Sequence, residues 1–463
     1  MINLAEKTVK LALKFGAEYA ETRIGRAVKT TIRAMNDKVE QITSGTDRGI
    51  GTRALYRGAL GFASSNSFNR YDLEESTRVA VKAAKVSSTE IKEKVVLAPV
   101  ETHEDRIMMR SGEDPSKVDM TRKMELIIRA YKAAKEVSPK IASVDTLYGD
   151  GTEEGAIVTS EGTKIFRGSS YLMLRALVFA REEDKISMCY ESIGFTGGFE
   201  LFEEQPVEKY AQKAAERAVA MLKAKPAPSG RFTIIADPLL TGTFAHEAVG
   251  HACEGDAVIA GESILKDKLG QMIGSQDVSI YDDSSSPQSW GSSKYDDEGV
   301  RTKKRLLIDH GTLRAFILNR EAAAKLELEP NGGARAQSYA FRPLVRMSNT
   351  YISSGDYEFE ELVEDTEQGL YLRGTRGGQV NPAVGSFQFN AEDAFMIENG
   401  EVTTPISDVS LSGLTLEILK NIDAVGKDLT LHIGHCGKED QIVRVMDGGP
   451  HIRIRNVVVG GRV

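Results

Sequence analysis

A short proline-containing segment near the middle of the chain, Lys225-Pro226-Ala227-Pro228-Ser229-Gly230, limits the possible folds more than any other feature. Two prolines, a serine and a glycine within six residues are typical of a connection between separately packed units. A length of 463 residues suggests about three domains, with two large ones equally acceptable, and either division can bury a sizeable core. We therefore expect an N-terminal domain over residues 1–224 and a C-terminal domain over residues 229–463.

Helical and strand patterns are mixed on both sides of this segment, with no fixed-period repeat and no regular βαβ alternation. Apolar spacing predicts N-terminal helices over residues 3–16, 73–84, 119–137 and 207–224. Strand patterns precede and separate these helices, including short strands over residues 142–148, 155–159, 163–166 and 171–180. We expect an α+β fold: an N-terminal domain of mixed helices and antiparallel sheet, with a possible subdivision near residues 94–117, and a strand-rich C-terminal domain.

Charge, cysteine content and hydropathy exclude several classes of protein. The chain has 59 Lys and Arg residues against 67 Asp and Glu residues, and this net charge of −8 argues against nucleic acid or an anionic membrane as partner. Three cysteines are too few for a disulfide framework and indicate a reducing compartment. The first 21 residues have the pattern of an amphipathic helix, and no apolar run approaches the length of a membrane span. We expect a cytoplasmic protein.

The main chemical motif follows the proline-containing segment. A buried-strand pattern over residues 232–236 leads into a helical stretch that carries His246, Glu247 and His251. Two histidines with an adjacent glutamate resemble zinc-protease signatures, in which the histidines bind the metal and the glutamate activates water. Five residues along a regular α-helix turn the second side chain about 140° from the first. The two rings can share a metal only if the helix forms a π-type turn or ends near Gly250; otherwise they are two helical histidines beside a solvated glutamate.

A third metal ligand could come from the C-terminal part of the chain. Cys436 lies there between two glycines, and a zinc ion would itself deprotonate the thiol. A small buried hydrophobic residue is the competing interpretation. Cys253 and Glu254, directly after His251, are alternative ligands if the helix ends differently.

Two other histidines and two acidic pairs are further candidates for site residues. His435 is adjacent to Cys436, and neighbouring strand residues face opposite sides, so we do not expect both to bind one metal. His451 could support the site or stabilise an oxyanion, or it could be a surface imidazole. The pairs Asp282-Asp283 and Asp296-Asp297 fit no calcium-loop spacing and predict a solvated loop.

Several motifs occur together along most of the chain, and they end with Cys436-Gly437-Lys438 through Gly460-Gly461. The others are Arg48-Gly49-Ile50-Gly51 with Gly61-Phe62-Ala63, the segment from His246 through Asp256, Arg346-Met347-Ser348-Asn349-Thr350-Tyr351, and Gly377-Gly378-Gln379-Val380-Asn381-Pro382. In this order they resemble the TldD/PmbA family. The resemblance implies a two-domain α+β protein, and because the chain keeps the histidine motif it resembles the metal-binding TldD type rather than the PmbA (TldE) type.

The resemblance also implies the roles of particular residues. His246, His251 and Cys436 would bind Zn²⁺, and Glu247 would be the general base that activates water. The substrates would be extended or unfolded peptides, and the partner would be a second copy of the chain or a PmbA/TldE-like subunit.

Metal sites built from histidine and cysteine also occur in proteins with two other functions. The metal could be structural in a non-catalytic regulatory or partner protein, although a structural site has no use for Glu247 beside its ligand. A zinc deaminase would need a Pro-Cys-x-x-Cys element, which the sequence lacks.

Overall fold

The computed structural model describes residues 1–109 and 112–460, so Gly461 of the last motif lies outside the described residues. The N-terminal part contains helices on one long, mostly antiparallel sheet. Its helices are α1 (Ile2–Lys14), α2 (Arg70–Ser87), α3 (Met120–Val137), α4 (Leu201–Glu204) and α5 (Val207–Met221). Its strands are β1 (Tyr19–Met35), β2 (Lys38–Tyr56), β3 (Ala59–Ser65), β4 (Glu104–Met109), β5 (Ile141–Thr159), β6 (Lys164–Glu182) and β7 (Lys185–Thr196).

The seven strands form one sheet in the order β3-β2-β1-β5-β6, with β4 and β7 pairing along different halves of β6. The expected strands 142–148 and 155–159 are a single strand, β5, and 163–166 and 171–180 are likewise part of β6. The glycines between the shorter runs stay in register with the neighbouring strand. At Gly151 the Tyr171 ring of β6 fills the space of a side chain, since a Cβ there would lie 2.3 Å from a ring carbon.

The C-terminal part has two large sheets and one two-stranded sheet, and it contains the largest apolar core among the described residues. Its helices are α6 (Pro238–Thr243), a π-helix (Phe244–Gly250), a 3₁₀-helix (His251–Cys253), α7 (Gly255–Ala260), α8 (Arg320–Leu326), α9 (Phe359–Glu364) and α10 (Thr415–Asn421). Its first strands are β8 (Lys225–Pro226), β9 (Gly230–Ala236), β10 (Ile280–Asp283), β11 (Lys304–Asp309), β12 (Thr312–Leu313), β13 (Ala334–Arg335), β14 (Leu344–Val345) and β15 (Asn349–Ile352). The remaining strands are β16 (Gln368–Arg373), β17 (Gly378–Asn381), β18 (Ser386–Asn390), β19 (Asp393–Glu398), β20 (Glu401–Ser407), β21 (Ser410–Leu414), β22 (Ile422–Val425), β23 (Thr430–Lys438), β24 (Gln441–Gly449) and β25 (Ile452–Gly460).

A ten-stranded sheet runs from β17 through β9 to β8, and a six-stranded sheet has the order β12-β11-β10-β15-β24-β23. The π-helix packs against β15, β17 and β24, so the histidine motif lies beside the strand hairpin that ends the second sheet. This mixture of helices and mostly antiparallel strands confirms the α+β class. The proline-containing segment is itself partly paired, because β8 runs parallel to β20.

Buried ion pairs join the N-terminal sheet to the C-terminal part. Arg53 of β2 lies 2.6 Å from Glu298, and Arg217 of α5 contacts Glu392 at 2.8 Å. Within the described residues, no helix is both long and apolar enough to cross a bilayer.

The expectation of a solvated loop at the two acidic pairs was wrong. Asp282 is fully buried and accepts hydrogen bonds from Arg305 and Ser348. Asp296 is also buried, and its carboxylate accepts the backbone N–H groups of Glu298, Val300 and Ala334. Arg305, which is distant in sequence, compensates the charge of Asp282, whereas Asp296 is held by backbone N–H groups of both near and distant residues; the local composition could not reveal these contacts.

Candidate metal centre

Three side chains with metal-binding chemistry meet at the junction between the π-helix and the hairpin of β23 and β24. One ligand atom each from His246, His251 and Cys436 lies within 4.8 Å of the others. Two imidazoles and a thiolate form a donor set that suits zinc and leaves a fourth coordination position open. The structure therefore brings together the three ligands that the resemblance implied.

The local backbone explains how the two histidines converge. Helix α6 begins at Pro238, where the Asp237 carboxylate accepts the Leu240 N–H, and then continues as the π-helix. The His251 N–H donates to the His246 carbonyl, an i→i+5 bond, and the two ring centroids are 5.3 Å apart. The sequence allowed a π-type turn or a helix end near Gly250, and the structure has the π-type turn. A regular α-helix would have turned the rings apart.

Cys436 reaches the histidines from near the C-terminal end of β23. Its sulfur lies 3.7 Å from Nε2 of His251, and its residue is only 4% exposed. Burial raises the pKa of the thiol, but hydrogen bonds with His246 and His251 outweigh it and lower the pKa to about 5. The cysteine is therefore a thiolate at neutral pH, which is the form that binds metals.

His251 is held by a buried carboxylate. Its Nδ1 lies 3.1 Å from Oε2 of Glu254, and Lys438 donates to the same carboxylate at 3.0 Å. Burial lowers the pKa of His251, but Glu254 and Cys436 raise it well above its ordinary value. A carboxylate on one ring nitrogen fixes the tautomer and directs the other nitrogen, Nε2, toward a metal.

His246 supplies a test of whether a metal fits. The residue is buried, and its Nδ1 has no hydrogen-bond partner among the described residues. A buried nitrogen without a partner is costly unless something binds it. Together with the adjacent thiolate and second imidazole, this donor set fits a zinc ion.

Glu247 lies on the open side of the cluster. Its side chain is 39% exposed, and Oε2 is 3.8 Å from Nε2 of His251. His246 and Cys436 are buried and His251 is half-buried, so Glu247 is the most accessible of these four side chains. A carboxylate in this position can accept a proton from a water molecule at the cluster.

The motif that begins at Arg346 supports the site without supplying a ligand. Arg346 is fully buried, and its guanidinium donates to the Cys436 carbonyl at 2.5 Å. The next residue, Met347, packs against the π-turn so closely that a Cβ at Gly250 would lie 2.0 Å from its sulfur. The segment from Arg346 therefore positions both halves of the cluster.

The alternative site residues lie elsewhere. Cys253 is fully buried in the apolar core, where burial raises the pKa of its thiol. His435 is on the other face of β23, its ring centroid 5.9 Å from that of Trp290. His451 is bonded to Asp428 and Tyr371, and it is not part of the three-residue cluster.

Two nearby charged residues were missed by the sequence reasoning. Lys438 bonds both Glu254 and Asp256, and Asp447 of β24 lies close enough to the cluster for His246 and Glu247 to affect its pKa. Burial raises the pKa of Asp447 to about 6. Both residues share the Cys436 face of the hairpin by strand alternation, and that spacing could have identified them.

Comparison with known proteins identifies the class. Three family models match the chain: PmbA/TldA metallopeptidase domain 1 over residues 20–86, the central domain over residues 113–222 and the C-terminal domain over residues 229–461. A metalloprotease from Methanothermobacter thermautotrophicus is 43% identical over 444 residues, which cover 96% of both chains. The fold, the site and these matches define a metallopeptidase.

The chain belongs to the PmbA/TldD metallopeptidase family. A zinc metalloprotease TldD homolog from Saccharolobus solfataricus is 30% identical over 99% of this chain and 100% of its own length. The crystal structure of TldE from Thermococcus kodakarensis has the same fold, with a TM-score of 0.83 at 20% identity over 99% of this chain and 100% of that one.

Proposed function

We propose that this metallopeptidase is zinc-dependent and hydrolyses extended or unfolded peptides, with His246, His251 and Cys436 as zinc ligands and Glu247 as general base. The observation that carries the proposal is the cluster itself, whose three ligand atoms lie within 4.8 Å of one another beside an exposed carboxylate. The printed name of the Saccharolobus relative, a zinc metalloprotease, supports the choice of metal.

Glu247 and Glu254 have different roles in the proposed hydrolysis. Bound zinc would polarise the peptide carbonyl and lower the pKa of a water molecule. Glu247 accepts the proton of the attacking water and returns it to the nitrogen of the leaving amine. Glu254 holds the Nδ1 side of His251, which keeps Nε2 oriented toward the other ligands.

The partner, compartment and domain boundaries are also proposals. A homodimer or a heterodimer with a PmbA/TldE-like subunit is supported by the fold shared with TldE. A cytoplasmic location is supported by three free cysteines. The boundary between residues 224 and 229 is supported by the C-terminal family model, which begins at residue 229, and a subdivision near residues 94–117 by the gap between the first two models.

The test combines metal analysis with hydrolysis of an unfolded polypeptide such as reduced, carboxymethylated casein. The purified chain should contain about one zinc per cluster and lose hydrolysis when 1,10-phenanthroline removes the metal. Adding zinc back should restore hydrolysis, both in the chain alone and in any complex with a co-purified partner. Intact zinc content without hydrolysis, in the chain and in any native complex, would favour the alternative of a structural metal in a regulatory protein.

A further inference from the structure

A large cavity lies between the N-terminal sheet and the C-terminal part, apart from the metal centre. Its volume is about 470 Å³, within the range of ligand-binding pockets. Strands β1, β5 and β6 form one wall, and residues around Arg335 and Arg444 form the other. None of the three metal ligands, nor Glu247, lines this cavity.

The cavity and the metal centre lie on opposite faces of one hairpin. His435 of β23 pairs with Arg444 of β24, and both line the cavity. The next residue along β23, Cys436, points to the other face and reaches His251. The hairpin therefore separates two different chemical environments.

The cavity has a surplus of positive charge. Seven basic and five acidic side chains line it. Two of the acidic groups are paired with basic ones: Asp297 contacts Arg23 and Arg167, and Glu153 lies 3.2 Å from Arg444. Burial raises the pKa of Asp296 well above its ordinary value, which disfavours the charged form of that carboxyl group.

Two guanidinium groups in the cavity wall can still donate hydrogen bonds to a ligand. Among the described residues, Arg335 donates to the carbonyl oxygens of Met347 and Arg444, at 2.5 and 2.7 Å. In the part of the chain that the structure describes, no carboxylate lies within 4.0 Å of the Arg335 guanidinium. Arg444 stacks on Tyr171, 3.7 Å from the ring centroid, and its buried Nη1 has no hydrogen-bond partner there. A positive charge so placed favours an anionic ligand.

We propose that this cavity binds the carboxylate of a short peptide, with Arg335 and Arg444 as the anion-binding pair. A guanidinium and a carboxylate match as planar partners for two parallel hydrogen bonds. The choice of a peptide rests on the proposed function, because every peptide hydrolysis releases a new C-terminal carboxylate. The volume accommodates the last residues of such a product.

Trp290 provides a direct signal for binding. It is the only tryptophan of the chain, its ring lies 5.5 Å from the Arg444 guanidinium, and it contacts Tyr171 edge to face at 5.4 Å. The probes are acetyl-Ala-Ala-Ala with a free carboxylate, the same peptide as C-terminal amide, and inorganic phosphate. Each is titrated into the full-length, zinc-loaded chain carrying Glu247→Gln, so that hydrolysis does not consume the peptide.

The peptide acid should bind at least about 10-fold more tightly than the amide, since a charged hydrogen-bonded pair is lost with the amide. Arg335→Gln should reduce acid affinity to that of the amide, whereas Arg335→Lys, which keeps the charge and loses the planar pair of donors, should retain an intermediate affinity. Arg342→Gln, which removes an exposed arginine paired with Glu439, is the matched control and should bind as the parent does. Equal affinity for acid and amide overturns the proposal even if Arg335→Gln fails to fold, and so does phosphate binding as tight as that of the acid.

A second comparison separates the cavity from the metal centre, which could itself bind a carboxylate. His246→Ala should lose zinc and keep the preference for the peptide acid. If that preference disappears in His246→Ala and persists in Arg335→Gln, the carboxylate binds at the metal and the proposal is wrong. Failure of the proposed peptidase function would appear only in the hydrolysis assay, because these titrations measure binding alone.

Discussion

The Nδ1 atom of His251 lies 3.1 Å from a carboxylate oxygen of Glu254. Glu254 is in turn held by Lys438, which also bonds Asp256, so the histidine is oriented by a chain of charged groups rather than by packing alone. Lys438 belongs to the same strand as Cys436. The orientation of one proposed ligand is thereby linked to the strand that carries another.

Glu254→Gln should weaken zinc binding by about 10- to 100-fold, because the neutral amide no longer holds the Nδ1 proton of His251 by a charged hydrogen bond. Competition with a chromophoric chelator measures the affinity. Asp256→Asn is the control, since Asp256 contacts Lys438 but no histidine, and should have a smaller effect. Unchanged zinc affinity in Glu254→Gln would show that His251 does not depend on this contact.

Glu247→Gln should retain zinc and lose about 10²–10⁴-fold in kcat, because the amide keeps the shape of the side chain and removes the base. Steady-state hydrolysis and metal analysis on the same preparation measure the two properties. Turnover close to that of the unmodified protein would remove Glu247 from the mechanism.

Cys436→Ala should abolish zinc retention and peptidase activity, whereas Cys253→Ala should cost only packing in the apolar core. Zinc should also raise the melting temperature of the unmodified chain and of Cys253→Ala, but not that of Cys436→Ala, because binding stabilises only a folded site. If Cys436→Ala binds one zinc per chain at the original affinity, Cys436 is not a ligand.

Gly250→Ala should disturb the π-turn, because the added Cβ would lie 2.0 Å from the Met347 sulfur. We expect weaker zinc binding and a loss of stability of about 1–3 kcal/mol, as for other overpacked cores. Gly437→Ala is a matched control on β23, where a Cβ meets nothing within 4 Å. Thermal melts and zinc titrations of both variants make the comparison, and equal behaviour would contradict the proposed packing.

Alkylation of the metal-free chain should show the acidity of Cys436. With a pKa of about 5 the thiol stays ionised from pH 9 down to pH 6, so the rate with iodoacetamide should be nearly constant and fall only as the pH approaches 5. Mass spectrometry after digestion identifies the modified residue, and zinc should protect it. A rate that declines tenfold per pH unit below pH 8 would indicate an ordinary thiol.

Part of the site could be predicted from residue spacing alone. Because His246 and His251 are five residues apart, a shared metal requires a departure from the α-helix, and the π-turn provides it. The third ligand needed the family resemblance. Spacing alone left Cys253 and Cys436 as alternatives, since nothing in a sequence shows which strand hairpin returns to a given helix.

The errors have a common physical cause. Asp282 looked solvated because its neighbours are polar, but Arg305 and Ser348 from distant segments compensate the buried charge. The predicted strands stopped on either side of Gly151, but one strand continues through it, and the Tyr171 ring of the paired strand occupies its side-chain space. In both places, contacts with residues distant in sequence determine the structure, and the local sequence does not show which residues make those contacts.

The distance in sequence between the ligands also determines when the site can form. Cys436 follows His251 by 185 residues and lies on the hairpin of the second sheet. A ribosome must therefore have translated almost all of the described chain before a complete donor set exists. A growing or prematurely ended chain carries the histidines and the glutamate without the thiolate. With the proposed ligand set, peptidase activity cannot begin until the hairpin has been translated and has folded against the π-helix.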